Sequence, residues 1–222
     1  MRTWGEGHDC AGLYLEIYGN KSQGRPSAWT RLNGIIVNPV THFLSGWAVA
    51  NCVSPLERRE RALVTLACVA PDVDGLGAIP DLLTRNSAHP LHWFSQYHHQ
   101  LHSLAFAVVV AATCFIFSKH QWMTALLAFS SFHLHLLEDV LGSRGPDGYQ
   151  WPIPYLAPFS QAAQISWSGQ WGLNAWPNFA ITIGFLAVTF YLARRRGFSP
   201  LEMISHRADR AFVETLRARF PA

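Results

Sequence analysis

Apolar residues along the chain fall into long runs with helical rather than alternating order, and short polar clusters divide them. The runs predict helices over 39–53, 55–69, about 93 or 96 to 118, 121–141 and 177–194, with a further amphipathic helix over 200–219. Proline stands at the expected start of several of these, where a missing N–H costs nothing. No strand-like alternation, hairpin signal or internal repeat competes. Glycine and proline punctuation predicts two long loops, "APDVDGLGAIPDLLTRNSAHP" from Ala70 and "GSRGPDGYQWPIPYLAPFS" from Gly142. Residues 1–36 are polar, lack a period and carry no secretory signal pattern, so they read as a poorly ordered tail. "VNPVTHFLSGW" from Val37 reads as a natural chain start. The expected architecture is an all-α bundle of about five helices: a tail over 1–36, a helical domain over 37–197, and an amphipathic C-terminal segment over 198–222.

The run "FAITIGFLAVTFYLA" from Phe179 is the best candidate for crossing a membrane. The 18-residue helix expected around it, 177–194, is near the lower limit of roughly 17 residues for a bilayer span. Trp176 precedes it and "RRRG" follows, the aromatic anchor and basic stop of a span with a cytoplasmic C-terminus. The third and fourth helices have shorter apolar runs, which suit spans and buried bundle helices equally. Composition agrees: 50% of residues are hydrophobic and only 14% charged, against about 25% charged in ordinary soluble chains. The net charge of +3 is too small to predict direct nucleic-acid binding. The four cysteines form no C-x-x-C pair, which argues against a thiolate zinc site. Cys52, Cys68 and Cys114 lie in apolar stretches and read as small buried hydrophobes. Arg207, Arg210, Arg217 and Arg219 give the last helix a basic face suited to solvent or to an anionic membrane surface.

The chemistry lies in the histidines, eleven in all and clustered. "SFHLHLLED", 131–139, ends an apolar run with two imidazoles and two carboxylates. Burying such groups is costly unless something pairs with them. His135 and Asp139 are four apart and share a helix face, while His133 and Glu138 lie off it. In "YHHQLHSL", His98 and His102 are four apart and His99 and His102 three apart, the pairing logic of helical zinc sites without the glutamate. Asp72 and Asp74 in "PDVDG" form either a plain turn or a pair of hard oxygen ligands. His42, alone near the start of the first helix, reads on its own as a satisfied buried histidine. All of these residues sit at helix ends or adjoining loops, and antiparallel packing brings such ends together. Nitrogen and oxygen donors without sulfur suit two or more divalent transition ions, zinc first, with manganese and iron also compatible.

Taken in order, "THF", "PDVDG", "YHHQLHSL" and "HLLEDVLGSRG", followed by "WPIPYLAPFS", resemble a family of membrane-bound metal-dependent hydrolases, also described as LexA-binding and inner-membrane-associated. The likeness runs from about residue 37 to 160. It implies an all-helical, metal-dependent hydrolase at the bacterial inner membrane. The His-x-x-x-Asp spacing is also similar, more weakly, to the zinc-dependent phospholipase C and P1 nuclease group. Carried over, the metal ligands are His42, Asp72, Asp74, His102, His135 and Asp139. The family's string runs His-Arg-x-x-Thr-His-Ser; here it is shortened and lacks the arginine, so either His98 or His99 fills the first place. The expected reaction is attack of a metal-activated water on a phosphoester, with Asp74 relaying a proton and Arg144 holding a phosphate oxygen or remaining a solvated loop arginine. Proximity favours a membrane lipid or lipid-linked phosphoester as substrate. The rival expectation is a non-catalytic, membrane-anchored interaction module with a structural metal site. The residues themselves identify no protein partner.

Overall fold

The computed structural model describes residues 28–53, 56–145 and 148–221, with side chains from 39 onward except at 95 and 96. Its long helices are α1 (Ala28–Ala50), α2 (Arg58–Val69), α5 (Leu104–Phe117), α6 (Gln121–Gly142), α7 (Trp176–Arg196) and α8 (His206–Arg219). Between α2 and α5 lie a 3₁₀ segment (Pro71–Gly77) and two short helices, α3 (Ala78–Thr84) and α4 (Trp93–Tyr97). A second 3₁₀ turn, Pro200–Met203, precedes α8. Among the described residues the fold is all-α apart from a two-residue antiparallel ladder of β1 (Ile153–Pro154) and β2 (Gln164–Ile165), with Ile153 opposite Ile165, and an isolated bridge between Arg144 and Gly172.

Helix α6 is the axis of the bundle and packs along both α5 and α2. Ala67 of α2, Cys114 of α5 and Ala128 of α6 fill the space between the three. Further along α6, Phe132 and Leu136 meet Ala107 of α5 and Ile153 of β1. Val64 of α2 meets Ala50 of α1. Small residues set these approaches. A Cβ on Gly46 of α1 would stand 2.6 Å from Cys68 Cβ and 2.9 Å from the Thr65 carbonyl oxygen.

Polar side chains fix where helices begin. Glu57 and Glu60 form a capping box at the start of α2. Glu60 Oε1 also accepts the backbone N–H groups of Lys119 and His120, at 3.0 and 2.6 Å, tying the start of α6 to that of α2. Ser103 and Ser205 cap α5 and α8. Gly197, with φ of 85°, ends α7 in the left-handed conformation that glycine adopts without cost.

Several sequence expectations change. Residues 1–27 of the expected tail, and Cys10 with them, lie outside the described residues, while α1 begins at Ala28 and runs through Pro39. The expected loop from Ala70 contains the 3₁₀ segment and α3. The expected helix over 93–118 is broken between Tyr97 and Leu104, because His99 takes φ of 76° and Ser103 starts a new helix. His98 and His102 are therefore not a helical i, i+4 pair. The expected helix over 200–219 likewise splits into a 3₁₀ turn and α8. Cys68 and Cys114 are buried, but Cys52 lies in the turn after α1 and is exposed.

Among the described helices, α7 is the one that is by itself long and apolar enough to cross a bilayer. Phe179, Ile183, Leu186 and Tyr191 on it are exposed. Near its C-terminal end Ala193 packs against Val213 and Leu216 of α8.

Candidate metal centre

Four chain segments deliver the cluster. α1 supplies His42, the 3₁₀ segment supplies Asp72 and Asp74, the α4–α5 break supplies His98, His99 and His102, and α6 supplies His135 and Asp139. The chain folds this way locally because Asp74 organises the break. Its Oδ2 accepts the Leu101 backbone N–H at 3.1 Å, and its Oδ1 lies 3.0 Å from His98 Nδ1. The turn so fixed brings His102 inward, where it is fully buried.

Asp139 is the centre. Its Oδ1 faces His42 Nε2 at 3.4 Å, while its Oδ2 faces His102 Nε2 at 3.3 Å and His135 Nε2 at 3.0 Å. Asp72 Oδ1 stands 3.8 Å from His135 Nε2, and Asp74 Oδ2 stands 3.4 Å from His102 Nδ1. The rings of His42 and His135 are in contact, tilted by 40° with centroids 3.9 Å apart. His98 stacks on Phe94, and Trp151 packs edge-on to it. His99 is buried beside His102, with ring centroids 4.5 Å apart. Of the two candidates for the family's first histidine, His98 is the one that contacts Asp74. Arg144 follows α6; its Nε donates to the Gly148 carbonyl at 3.1 Å.

Electrostatics mark the cluster as short of positive charge. Burial works against an ionised Asp139, yet the neighbouring His135 and hydrogen bonds from His102, His135 and His42 hold its carboxyl well below the usual range. Burial raises Asp74 too, but His102 and His98 pull it down. Burial opposes a charged His102, and the carboxylates of Asp139 and Asp74 overcome it, holding its pKa at about 9. His99 goes the other way, to about 3, through burial and the nearby His102 and His98. Two ionised carboxylates buried among imidazoles demand a cation, which a proton or a metal ion supplies.

The donor set fits a metal. His42, His135 and Asp139 form one group whose donor atoms all lie within 4.8 Å of one another, and Asp72, His102 and His135 form a second. His135 Nδ1 and Asp72 Oδ2 are buried without a hydrogen-bond partner, and His42 Nε2 and His102 Nδ1 meet their carboxylates only at a long 3.4 Å. Such orphaned atoms are rare in native interiors and call for an explanation, an ion among them. Imidazole and carboxylate donors without thiolate match zinc, manganese or iron.

Sequence reasoning missed the supporting shell. Glu138 Oε2 takes His42 Nδ1 at 2.5 Å, leaving Nε2 to face Asp139. A carboxylate on the far nitrogen of a histidine is the usual partner of a metal-bound imidazole. Ser143 Oγ donates to Asp139 Oδ1 at 2.9 Å, and Gln170 Nε2 donates to the Asp139 carbonyl at 2.8 Å. Nothing in the spacing of 131–139 announces that Glu138 turns to the far nitrogen of His42 while Asp139 sits among His42, His102 and His135. Only the packing of α1 against α6 assigns it.

No curated protein and no solved structure matches the chain. A family model, described as YdjM inner membrane protein, matches residues 37–207, a stretch that contains every residue of the cluster. With that match over most of its length, the chain belongs to the YdjM inner membrane protein family.

Proposed function

We propose that this protein is a metal-dependent hydrolase of the inner membrane that acts on a phosphoester. One observation carries the reading: His42, His102 and His135 converge on the two oxygens of Asp139, inside a buried shell with unpartnered donor atoms. His42, Asp72, His102, His135 and Asp139 would hold the ions, with Asp74 and His98 at the edge. When bound, a divalent transition ion supplies Lewis acidity and activates water near neutral pH.

The chain's own groups supply the rest. The cluster has an open edge: the side chains of Asp72 and His98 are 21% and 17% exposed, whereas that of His135 is fully buried. Substrate reaches the cluster from that edge. Asp74, between His98 and His102, relays a proton. Arg144, just past α6, holds a phosphate oxygen. The three arginines ending α7 keep the C-terminus in the cytoplasm.

The test is hydrolysis by protein reconstituted in lipid and loaded with zinc or manganese. A chromogenic phosphodiester, a phosphomonoester and a phospholipid serve as substrates. Turnover is expected to fall about 10²–10⁴-fold in Asp74→Asn, in line with loss of general acid–base help; the amide oxygen can still accept the Leu101 N–H that shapes the break. Absence of turnover on all three substrates by metal-loaded protein would remove the hydrolase reading, and a structural metal site in an interaction module would replace it.

A further inference from the structure

The 3₁₀ segment and α3 carry the acidic wall of the cluster on one side and an unusual surface on the other. Val73, Leu76, Ile79 and Leu82 recur every three residues and are each more than half exposed, and Leu83 beside them is 79% exposed. The three carboxylates of this stretch do nothing to make that surface polar. Asp72 and Asp74 turn to the histidines, and Asp81 accepts the backbone N–H groups of Trp93 and Phe94 at 2.7 and 3.0 Å. What remains outside is aliphatic. α4 packs against both elements and adds exposed Trp93 and Tyr97. Soluble surfaces rarely present so many large apolar side chains together. α2 and residues 71–84 are jointly apolar enough for a bilayer element, and a 54° bend between them makes an elbow rather than a straight span. Irregular backbone at a membrane is tolerated where it is buried in protein or lines a polar cavity, and here the Asp72 and Asp74 side chains turn inward to the histidines. Aromatic residues beside an aliphatic row are the composition of a membrane–water interface.

We propose that this elbow, with Leu76, Ile79, Leu82 and Leu83 as its contact row, lies in the bilayer interface, so that lipid borders the wall that supplies Asp72 and Asp74. Membership of an inner membrane family decides for lipid over a protein partner as the occupant. Resting on the hydrolase reading, the consequence is that the substrate's phosphoester belongs to a lipid headgroup, which enters without leaving the membrane.

The test uses a background in which Cys10 and Cys52 are serine, since Cys68 and Cys114 are buried. Leu83→Cys, and separately Leu76→Cys, carries an environment-sensitive fluorophore in vesicles of phosphatidylethanolamine and phosphatidylglycerol. Asn86→Cys, at an exposed polar position, is the aqueous control. The expected result is blue-shifted emission at 76 and 83, mostly lost with lipids brominated along the acyl chain and little affected by iodide, with the reverse at 86. Iodide quenching at 76 and 83 without lipid quenching overturns the proposal. Protection from both quenchers also overturns it and points to a protein partner or a second copy. The readout does not involve turnover, so an inactive but lipid-quenched protein would count against the hydrolase reading alone.

Discussion

The Nε2 atoms of His102 and His135 lie 3.2 Å apart and both face the same oxygen of Asp139. The two rings come from different segments, one from the α4–α5 break and one from the body of α6. Two imidazole nitrogens held at that distance need a shared proton or a shared ion. Because both serve one locus, their removal should not be additive. His102→Ala and His135→Ala are each expected to weaken zinc binding, and the double variant to be little worse than the poorer single one. A chelator competition titration on the three variants measures this; full additivity would mean that the histidines serve separate sites.

Glu138 acts on the cluster through His42. Its replacement is expected to lower metal affinity about 10–100-fold, the usual effect of losing such a partner. Glu138→Gln, which keeps a hydrogen-bond acceptor, should recover part of the loss relative to Glu138→Ala. Equal affinity in both variants and wild type, at equal melting temperature, would leave Glu138 a packing residue only.

Glu60 gives a pH dependence independent of the cluster. Burial pushes its carboxyl up, but the backbone N–H groups of His120 and Glu57 and the His120 ring pull it from 4.5 to about 2. A depressed folded-state pKa contributes stability that is present above the unfolded value and lost as pH falls through the folded one. The advantage of wild type over Glu60→Gln, about 1–3 kcal/mol for a buried acceptor with several donors, is therefore expected to be whole above pH 4.5 and to shrink between there and pH 2. Acid unfolding curves of the two proteins in detergent check it.

Gly46 has no room for a methyl group between α1 and α2. Gly46→Ala should gain roughly 1 kcal/mol of helix propensity and lose more through overpacking, which typically costs 1–3 kcal/mol. A lowered thermal midpoint is the expected outcome. The clash involves the Thr65 carbonyl, so it is not relieved by a side-chain rotation.

Much of this was legible in the chain. The period of the apolar runs foretold α2, α6 and α7 within a few residues, because each buries or exposes a continuous stripe that local order alone specifies. His135 and Asp139 were legible as a pair because α6 is regular through them. The region between Ala70 and Leu104 was not. Its conformation is set by contacts between residues distant in sequence: Asp74 with His98 and Leu101, and Asp81 with the start of α4. Helical spacing therefore gave the wrong reason for pairing His98 with His102, although both do meet Asp74. Glu138 was missed for the same cause, since its partner lies 96 residues away.

The most direct measurement is transition-metal content per chain of detergent-purified protein, for wild type and for the double variant His135→Ala with Asp139→Ala. Both donor groups contain His135. More than one tightly held zinc, manganese or iron ion per chain is expected in wild type and almost none in the folded variant. A well-folded wild type that is metal-free and takes up neither zinc nor manganese would contradict it.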